Sequence, residues 1–129
     1  HMNDKNELIQ YGIRSGTKQE FDFMKDKGTL ETSIDSLCER LEKIDSTRPV
    51  YMTLDLDFFD PAFFPGTGTP EAGGENFHSF VKIMKILNRK NLVGADIVEL
   101  APMLDATGNS SAFASKVVRE TLLAMQGGN

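Results

Sequence analysis

The stretch Tyr51-Met-Thr-Leu-Asp55-Leu-Asp57-Phe-Phe-Asp60-Pro61-Ala-Phe-Phe-Pro65-Gly-Thr-Gly-Thr-Pro70 decides how this chain is read. Its first half is apolar enough for a strand, and it ends on two carboxylates two residues apart. A strand alternates side chains with a period of 2, so Asp55 and Asp57 are predicted on one face, about 7 Å apart at most. Two carboxylates held so close repel each other, and a divalent cation offsets that best. A third acid, Asp60, stands before Pro61 and reads as a turn former that accepts backbone hydrogen bonds. The Pro- and Gly-rich run after it reads as a long loop.

Working outward, Val50 to Asp57 is predicted as a strand. Val50, Met52, Leu54 and Leu56 lie on one face, and Tyr51, Thr53, Asp55 and Asp57 on the other. Leu8 to Arg14 and Leu92 to Leu100 read as two further strands. Thr17 followed by Glu20 forms a capping box for a helix carrying Phe21 and Met24. Ile34, Leu37, Cys38, Leu41 and Ile44 recur at helical spacing, which predicts a helix from Ser33 to Ile44. Phe77, Phe80, Val81, Met84 and Leu87 predict another. A last helix runs from Ser110 to Met125 with Phe113, Val117, Leu122 and Met125 inward. Alternating strands and helices imply a three-layer α/β/α domain with a mainly parallel sheet, about three strands and four helices. Sites in such sheets form at the carboxyl ends of strands, where Asp55, Asp57 and Glu99 fall.

The chain has 129 residues with 40% hydrophobic and 26% charged content, which fits one compact globular domain. A net charge of -5 argues against a nucleic-acid surface. No run of 18 apolar residues and no secretion signal is present, so neither membrane nor export is expected. The single cysteine, Cys38, cannot form an internal disulfide and reads as core packing in a cytoplasmic protein. His1-Met2 reads as a cloning remnant, leaving residues 3–129 as the functional piece.

Three collinear motifs carry a family resemblance. They are Tyr11-Gly-Ile-Arg14-Ser-Gly16, Asp55-Leu-Asp57-Phe-Phe-Asp60-Pro61 with Pro65-Gly-Thr-Gly-Thr-Pro70 and Gly73-Gly74, and Asp96-Ile-Val-Glu99-Leu-Ala-Pro102. Together they resemble the ureohydrolases (arginase, agmatinase and relatives), with the Gly-Thr-Gly-Thr-Pro-Glu71 run most like agmatinase. The resemblance covers the C-terminal half of such an enzyme. It implies hydrolysis of a guanidino substrate, agmatine, to putrescine and urea by a hydroxide bridging two manganese ions. It implies that Asp55 bridges both ions and Asp57 binds one. It also implies that Glu99 holds the guanidinium group and that Thr69 lies in the loop closing over the substrate. The family's Gly-Gly-Asp-His and Asp-Ala-His-x-Asp segments, which supply the other ligands, do not occur in these residues, so an inactive fragment is expected.

The resemblance also implies a short strand near residues 25–30. That segment is polar here, and no strand is expected. It further implies that another strand separates the first strand from the second. A repacked or homo-oligomeric fragment is therefore expected.

Two other functions compete. One is a non-catalytic folding or self-assembly module. The other is a dehalogenase-like phosphatase, disfavoured because Phe59 stands where that family wants Thr or Val. His78 reads as a helix-terminal histidine, Glu71 as a surface charge, Arg14 as an ion-pair residue and Asp96 as a structural residue opening the last strand. Phe58, Phe59, Phe63 and Phe64 read as core and loop anchors.

Overall fold

The computed structural model describes residues 6–127; the initial His1-Met2 pair lies outside them. In chain order the elements are β1 (Gln10–Tyr11), α1 (Lys18–Asp26), β2 (Leu30–Glu31), α2 (Ile34–Glu42), β3 (Pro49–Asp55), α3 (Phe77–Leu87), β4 (Asn91–Val98) and α4 (Asn109–Gln126). Two 3-10 turns, Leu56–Phe58 and Pro102–Leu104, follow β3 and β4. The α/β class and the four helices agree with the sequence reading.

The helix starts are set by side-chain caps that satisfy otherwise orphaned N–H groups. The Thr17 hydroxyl accepts from Glu20 N–H at 3.3 Å, and the Glu20 carboxylate accepts from Thr17 N–H at 2.7 Å. Ser33 and Ser36 do the same for α2, and Asn76 Oδ1 accepts from His78 and Ser79 N–H at the start of α3. At the other end of α2, the buried Lys90 ammonium donates to Glu42 and Ile44 carbonyls at 2.8 and 2.6 Å. Burial of that cation is thus matched by carbonyls at the negative end of a helix.

The sheet is split. β1 pairs with β2 and β3 with β4, both in parallel, and among the described residues no ladder joins the halves. Side chains fix how the halves face each other. At the amino ends, Glu7 meets Arg48 at 3.2 Å. At the carboxyl ends, Arg14 donates to the Asp57 and Phe58 carbonyls. β1 and β3 therefore run in the same direction, side by side.

Helix α1 faces the side of β1 that bears Leu8 and Gln10, while Ile9 and Tyr11 join the core with α2 and α3. Helices α2, α3 and α4 form the opposite layer, and Leu54, Leu56, Phe59, Phe64, Phe80 and Val117 lie buried beneath them. Phe59 is 1% exposed and packs its ring against Phe113 at 4.7 Å, Phe58 at 5.1 Å and Phe80 at 5.9 Å. Each such ring contributes about 1.5–3 kcal/mol on burial. These rings also fix the loop that leaves the Asp55–Asp60 segment. Cys38 is buried on α2, as its helical spacing implies.

Five expectations need correction. Residues 30–31 do form a strand: Gln10 N–H donates to the Thr29 carbonyl at 2.7 Å, and Leu30 pairs with Gln10. Two residues are too short for a period to show, so tertiary pairing alone makes this strand. The predicted strand stops short of Asp57: β3 ends at Asp55, and Asp57 lies in the 3-10 turn that follows. Leu122 is 55% exposed; Thr121 takes the inward place and returns its hydroxyl to the Val117 carbonyl at 2.9 Å. Asp96 sits within β4 opposite Thr53 and does not open the strand. Of the four clustered phenylalanines, Phe63 is exposed while the other three are buried.

Candidate active site

The carboxyl ends of β3 and β4 sit side by side, since Asp55 is in register with Val98, the residue before Glu99. The turn after β3 is closed by Asp55 itself, whose Oδ1 accepts from Asp57 N–H at 2.9 Å. That hydrogen bond ends the ladder and swings Asp57 off the strand. Asp57 is half-buried and faces Arg14, with Nη2 to Oδ1 at 3.9 Å. Burial, then the Asp55 charge, pushes the Asp57 carboxyl above the usual carboxylate range; Arg14 opposes this, and Glu71 and Glu99 add to it. Asp55, Asp57, Glu71 and Glu99 thus share one electrostatic neighbourhood.

Glu99 has φ 68, the only non-glycine residue with a left-handed backbone among the described residues. That conformation costs about 1–2 kcal/mol for a residue with a Cβ, and such strain clusters at functional sites. It turns the chain sharply as β4 ends. A Cβ placed on Gly68 would lie 3.8 Å from Glu99 Oε2, so the 67–69 loop rides directly against this carboxylate. Thr69, next in that loop, is exposed to solvent.

The loop is welded in place from beneath. Ala101 N–H donates to the Gly66 carbonyl at 2.8 Å. Gly66 N–H donates to Ser110 Oγ at 2.8 Å, and Ser110 Oγ donates to Asp105 Oδ2 at 2.7 Å. Any side chain on Gly66 would come within 2.6 Å of Ser110 Cβ, so this close approach requires glycine. Asp105 also accepts from Ser110 N–H at 2.7 Å and from Thr107 Oγ1 at 2.6 Å. The hydrogen bond from the Thr107 hydroxyl, then those from Ser110, hold the Asp105 carboxyl well below its ordinary range. Asp60 anchors the far side of the loop by accepting from Ala62, Gly73 and Gly74 N–H groups, the structural role its place before Pro61 implies. Glu71 accepts from Ser15 Oγ at 2.6 Å and is therefore more than a loose surface charge.

The structure thus brings Asp55, Asp57, Glu99 and the Thr69 loop to one edge, with Arg14 reaching in from β1. Sequence reasoning did not single out Ser110 or Asp105. The Asp105-Ala-Thr107-Gly108 run is a turn-and-cap pattern that could have marked them. Thr67 is a further case, 1% exposed, with Oγ1 lacking a hydrogen-bond partner. His78 lies exposed at the start of α3, the helix-terminal place its sequence position implies.

Two manganese ions do not fit the residues present. Among the described residues, no three His, Cys, Asp or Glu side chains converge to hold a metal ion. One oxygen of Asp55 is already engaged by Asp57 N–H, and Asp57 is oriented toward a guanidinium. No helix among those residues is long and apolar enough to cross a membrane.

Comparison with known proteins agrees in order and extent. Residues 1–124 match the arginase family. The chain is 47% identical over 121 residues to agmatinase from Bacillus anthracis, covering 90% of this chain and 41% of that one. It is 40% identical over 121 residues to agmatinase from Bacillus subtilis, with the same 90% and 41% coverage. Among solved structures it is similar to proclavaminate amidino hydrolase from Streptomyces clavuligerus, at TM-score 0.80 and 28% identity over 94% of this chain and 43% of that one. It is also similar to arginase from Bacillus caldovelox, at TM-score 0.76 and 25% identity over 95% and 45%. The chain therefore spans 41% of the length of the agmatinases it matches.

Proposed function

Because the chain belongs to the arginase family, we propose that it carries the C-terminal share of an agmatinase-like ureohydrolase site and is inactive by itself. The complete enzyme would hydrolyse agmatine to putrescine and urea, the chemistry that a manganese-bound hydroxide supplies. This chain's part is to bind and orient. The observation that carries this reading is the Glu99 carboxylate, held by a left-handed backbone against Gly68 in the loop that bears Thr69.

A carboxylate matches a planar guanidinium with two parallel charge-assisted hydrogen bonds, which fixes the plane of the group as well as its position. The Thr69 loop would cover the ligand, since Gly66 and Asp60 pin both its ends. Arg14 would keep Asp57 ionised and aimed at the strand ends. The mismatch with two manganese ions supports inactivity of the isolated chain. It also favours the second reading, a folding module derived from the same enzyme.

Two titrations test the proposal. Agmatine followed by amide NMR should shift Gly68, Thr69 and Glu99 at millimolar concentration, and Glu99→Gln should abolish the shifts. Manganese calorimetry, with Asp55→Asn/Asp57→Asn as control, should show no tight binding and no urea from agmatine. Tight uptake of two ions with urea release would overturn the claim of inactivity. Unchanged Gly68 and Glu99 signals would overturn the guanidinium role.

A further inference from the structure

The loops that follow β3 and β4 meet at Gly66. Its carbonyl accepts from Ala101 N–H at 2.8 Å, and its N–H donates to Ser110 Oγ at 2.8 Å. Gly66 stands two residues before Gly68, and Ala101 two residues after Glu99. The bond between them closes a small ring, with Gly66-Thr67-Gly68 on one side and Glu99-Leu100-Ala101 on the other. The Glu99 carboxylate lies against Gly68 across the far end of that ring.

The Gly66–Gly68 side has little stiffness of its own. Two of its three residues are glycine. The third, Thr67, is buried, and its hydroxyl has no hydrogen-bond partner. No side chain within the segment therefore orients it through a polar bond, and the work falls to the two bonds at Gly66. A guanidinium is planar and meets a carboxylate with two parallel N–H groups. A wall that drifts by about 1 Å spoils such a fit.

The bond from Gly66 N–H leads away from the site. Ser110 Oγ donates its one proton to Asp105 Oδ2 at 2.7 Å, and the same oxygen accepts from Ser110 N–H at 2.7 Å. Asp105 Oδ1 accepts from Thr107 N–H at 3.0 Å and from Thr107 Oγ1 at 2.6 Å. An ionised carboxylate only accepts, so the Ser110 proton is committed to it and a lone pair is left facing Gly66 N–H. Asp105 thus sets the polarity of the Ser110 hydroxyl. Ser110 is fully buried and Asp105 is 7% exposed, so neither meets a ligand from solvent.

We propose that Ser110 and Asp105 are positioning residues for guanidinium recognition: through Gly66 they fix where Gly68 stands against the Glu99 carboxylate. The assignment rests on the guanidinium reading of Glu99 given above and extends it to two residues that touch no ligand. It carries a thermodynamic consequence. If the clamp strengthens guanidinium binding, guanidinium binding strengthens the clamp by the same factor.

Agmatine is titrated into the unaltered chain, Ser110→Ala and Leu41→Ala, with Gly68, Thr69 and Glu99 amides followed by NMR at a temperature where each is folded. Ser110→Ala should raise the dissociation constant at least about fivefold. Leu41→Ala empties a buried position on α2, which makes none of these bonds, and loses at least as much stability. It should bind within about twofold of the unaltered chain, which separates positioning from general loosening. In the unaltered chain, saturating agmatine should slow hydrogen exchange at Gly66 and Ala101 N–H at least about fivefold. That measurement needs no substitution and decides the matter even if a variant fails to fold.

Equal affinity in Ser110→Ala and the unaltered chain overturns the proposal and leaves the guanidinium reading standing. Unchanged Gly66 and Ala101 exchange on saturation does the same, as does an equal loss of affinity in Leu41→Ala. Failure of agmatine to shift Gly68 and Glu99 in the unaltered chain overturns the guanidinium reading itself, and the positioning role with it.

Discussion

Replacing Ser110 with alanine tests the weld beneath the loop. Ser110 is fully buried, and its Oγ accepts from Gly66 N–H at 2.8 Å while donating to Asp105 at 2.7 Å. Alanine leaves the Gly66 N–H buried with no partner, at a cost of about 1–3 kcal/mol. Asp105 loses one of its donors but keeps Ser110 N–H and both Thr107 groups, so its share of the loss is partial. Alanine gains at most about 0.5 kcal/mol in helix propensity near the start of α4. The net expectation is a loss of about 2 kcal/mol. With a urea dependence of about 1–3 kcal/mol per molar, the unfolding midpoint should fall by about 0.7–2 M. Ser115→Ala is the matched control, since its exposed hydroxyl bonds only the Ala112 carbonyl within its own helix; it should change stability by less than about 0.5 kcal/mol. Equal midpoints for the two variants would refute the assignment of Ser110 as the loop's anchor. So would an unchanged exchange rate at Gly66 N–H.

Phe59→Ala empties a site ringed by other phenylalanines and should cost about 4–5 kcal/mol, read by chemical denaturation, with Phe59→Leu losing less than half as much. Glu99→Gly should raise stability by about 1 kcal/mol by releasing the left-handed backbone, while agmatine-induced NMR shifts disappear; a loss of stability would show that the carboxylate, and not the strain, dominates there. The Asp105 carboxyl is depressed in the folded state, so its contribution is fully present above the unfolded value near about 4 and is lost as pH falls toward the folded value. Asp105→Asn should therefore lower stability at neutral pH and flatten its decline below about pH 4, measured as denaturation midpoints across an acid series.

The helices were legible because their starts carry chemistry that acts locally. Thr17 with Glu20 names a first turn, and the apolar spacings from Ile34 to Ile44 and from Phe77 to Leu87 are helical. The loop between Asp60 and Gly74 was equally open to reading, since proline and glycine punctuate it. What escaped was set at long range. β2 exists only because Gln10 reaches the Thr29 carbonyl across 19 residues, and no two-residue strand has a period. Alternation predicts a strand through Asp57, but a single bond from Asp57 N–H to the Asp55 carboxylate ends it two residues sooner. Glu99 was found by its motif; its left-handed backbone could not be, because glutamate carries no local preference for that region. Asp105 and Ser110 lie more than 30 residues from the loop they hold, and only the fold joins them.

The division of the sheet also governs how the molecule opens. The unit β1–α1–β2 is tied to the rest by side chains, among them Tyr11 to Glu75, Ser15 to Glu71 and Arg14 to the Asp57 carbonyl, and by the burial of Ile9 and Tyr11. The β3–α3–β4–α4 unit has the long ladder and most of the buried phenylalanines. Cooperative units with fewer buried apolar contacts detach at lower free energy than the global transition. Two exchange classes are therefore built into the chain, with amides of residues 9–31 in the faster one. Each excursion of that first unit withdraws the Arg14 guanidinium from Asp55, Asp57, Glu71 and Glu99. The strand ends then become a purely anionic rim for as long as the excursion lasts. Local breathing of one small unit thus sets the net charge that any cation meets at the edge of the sheet.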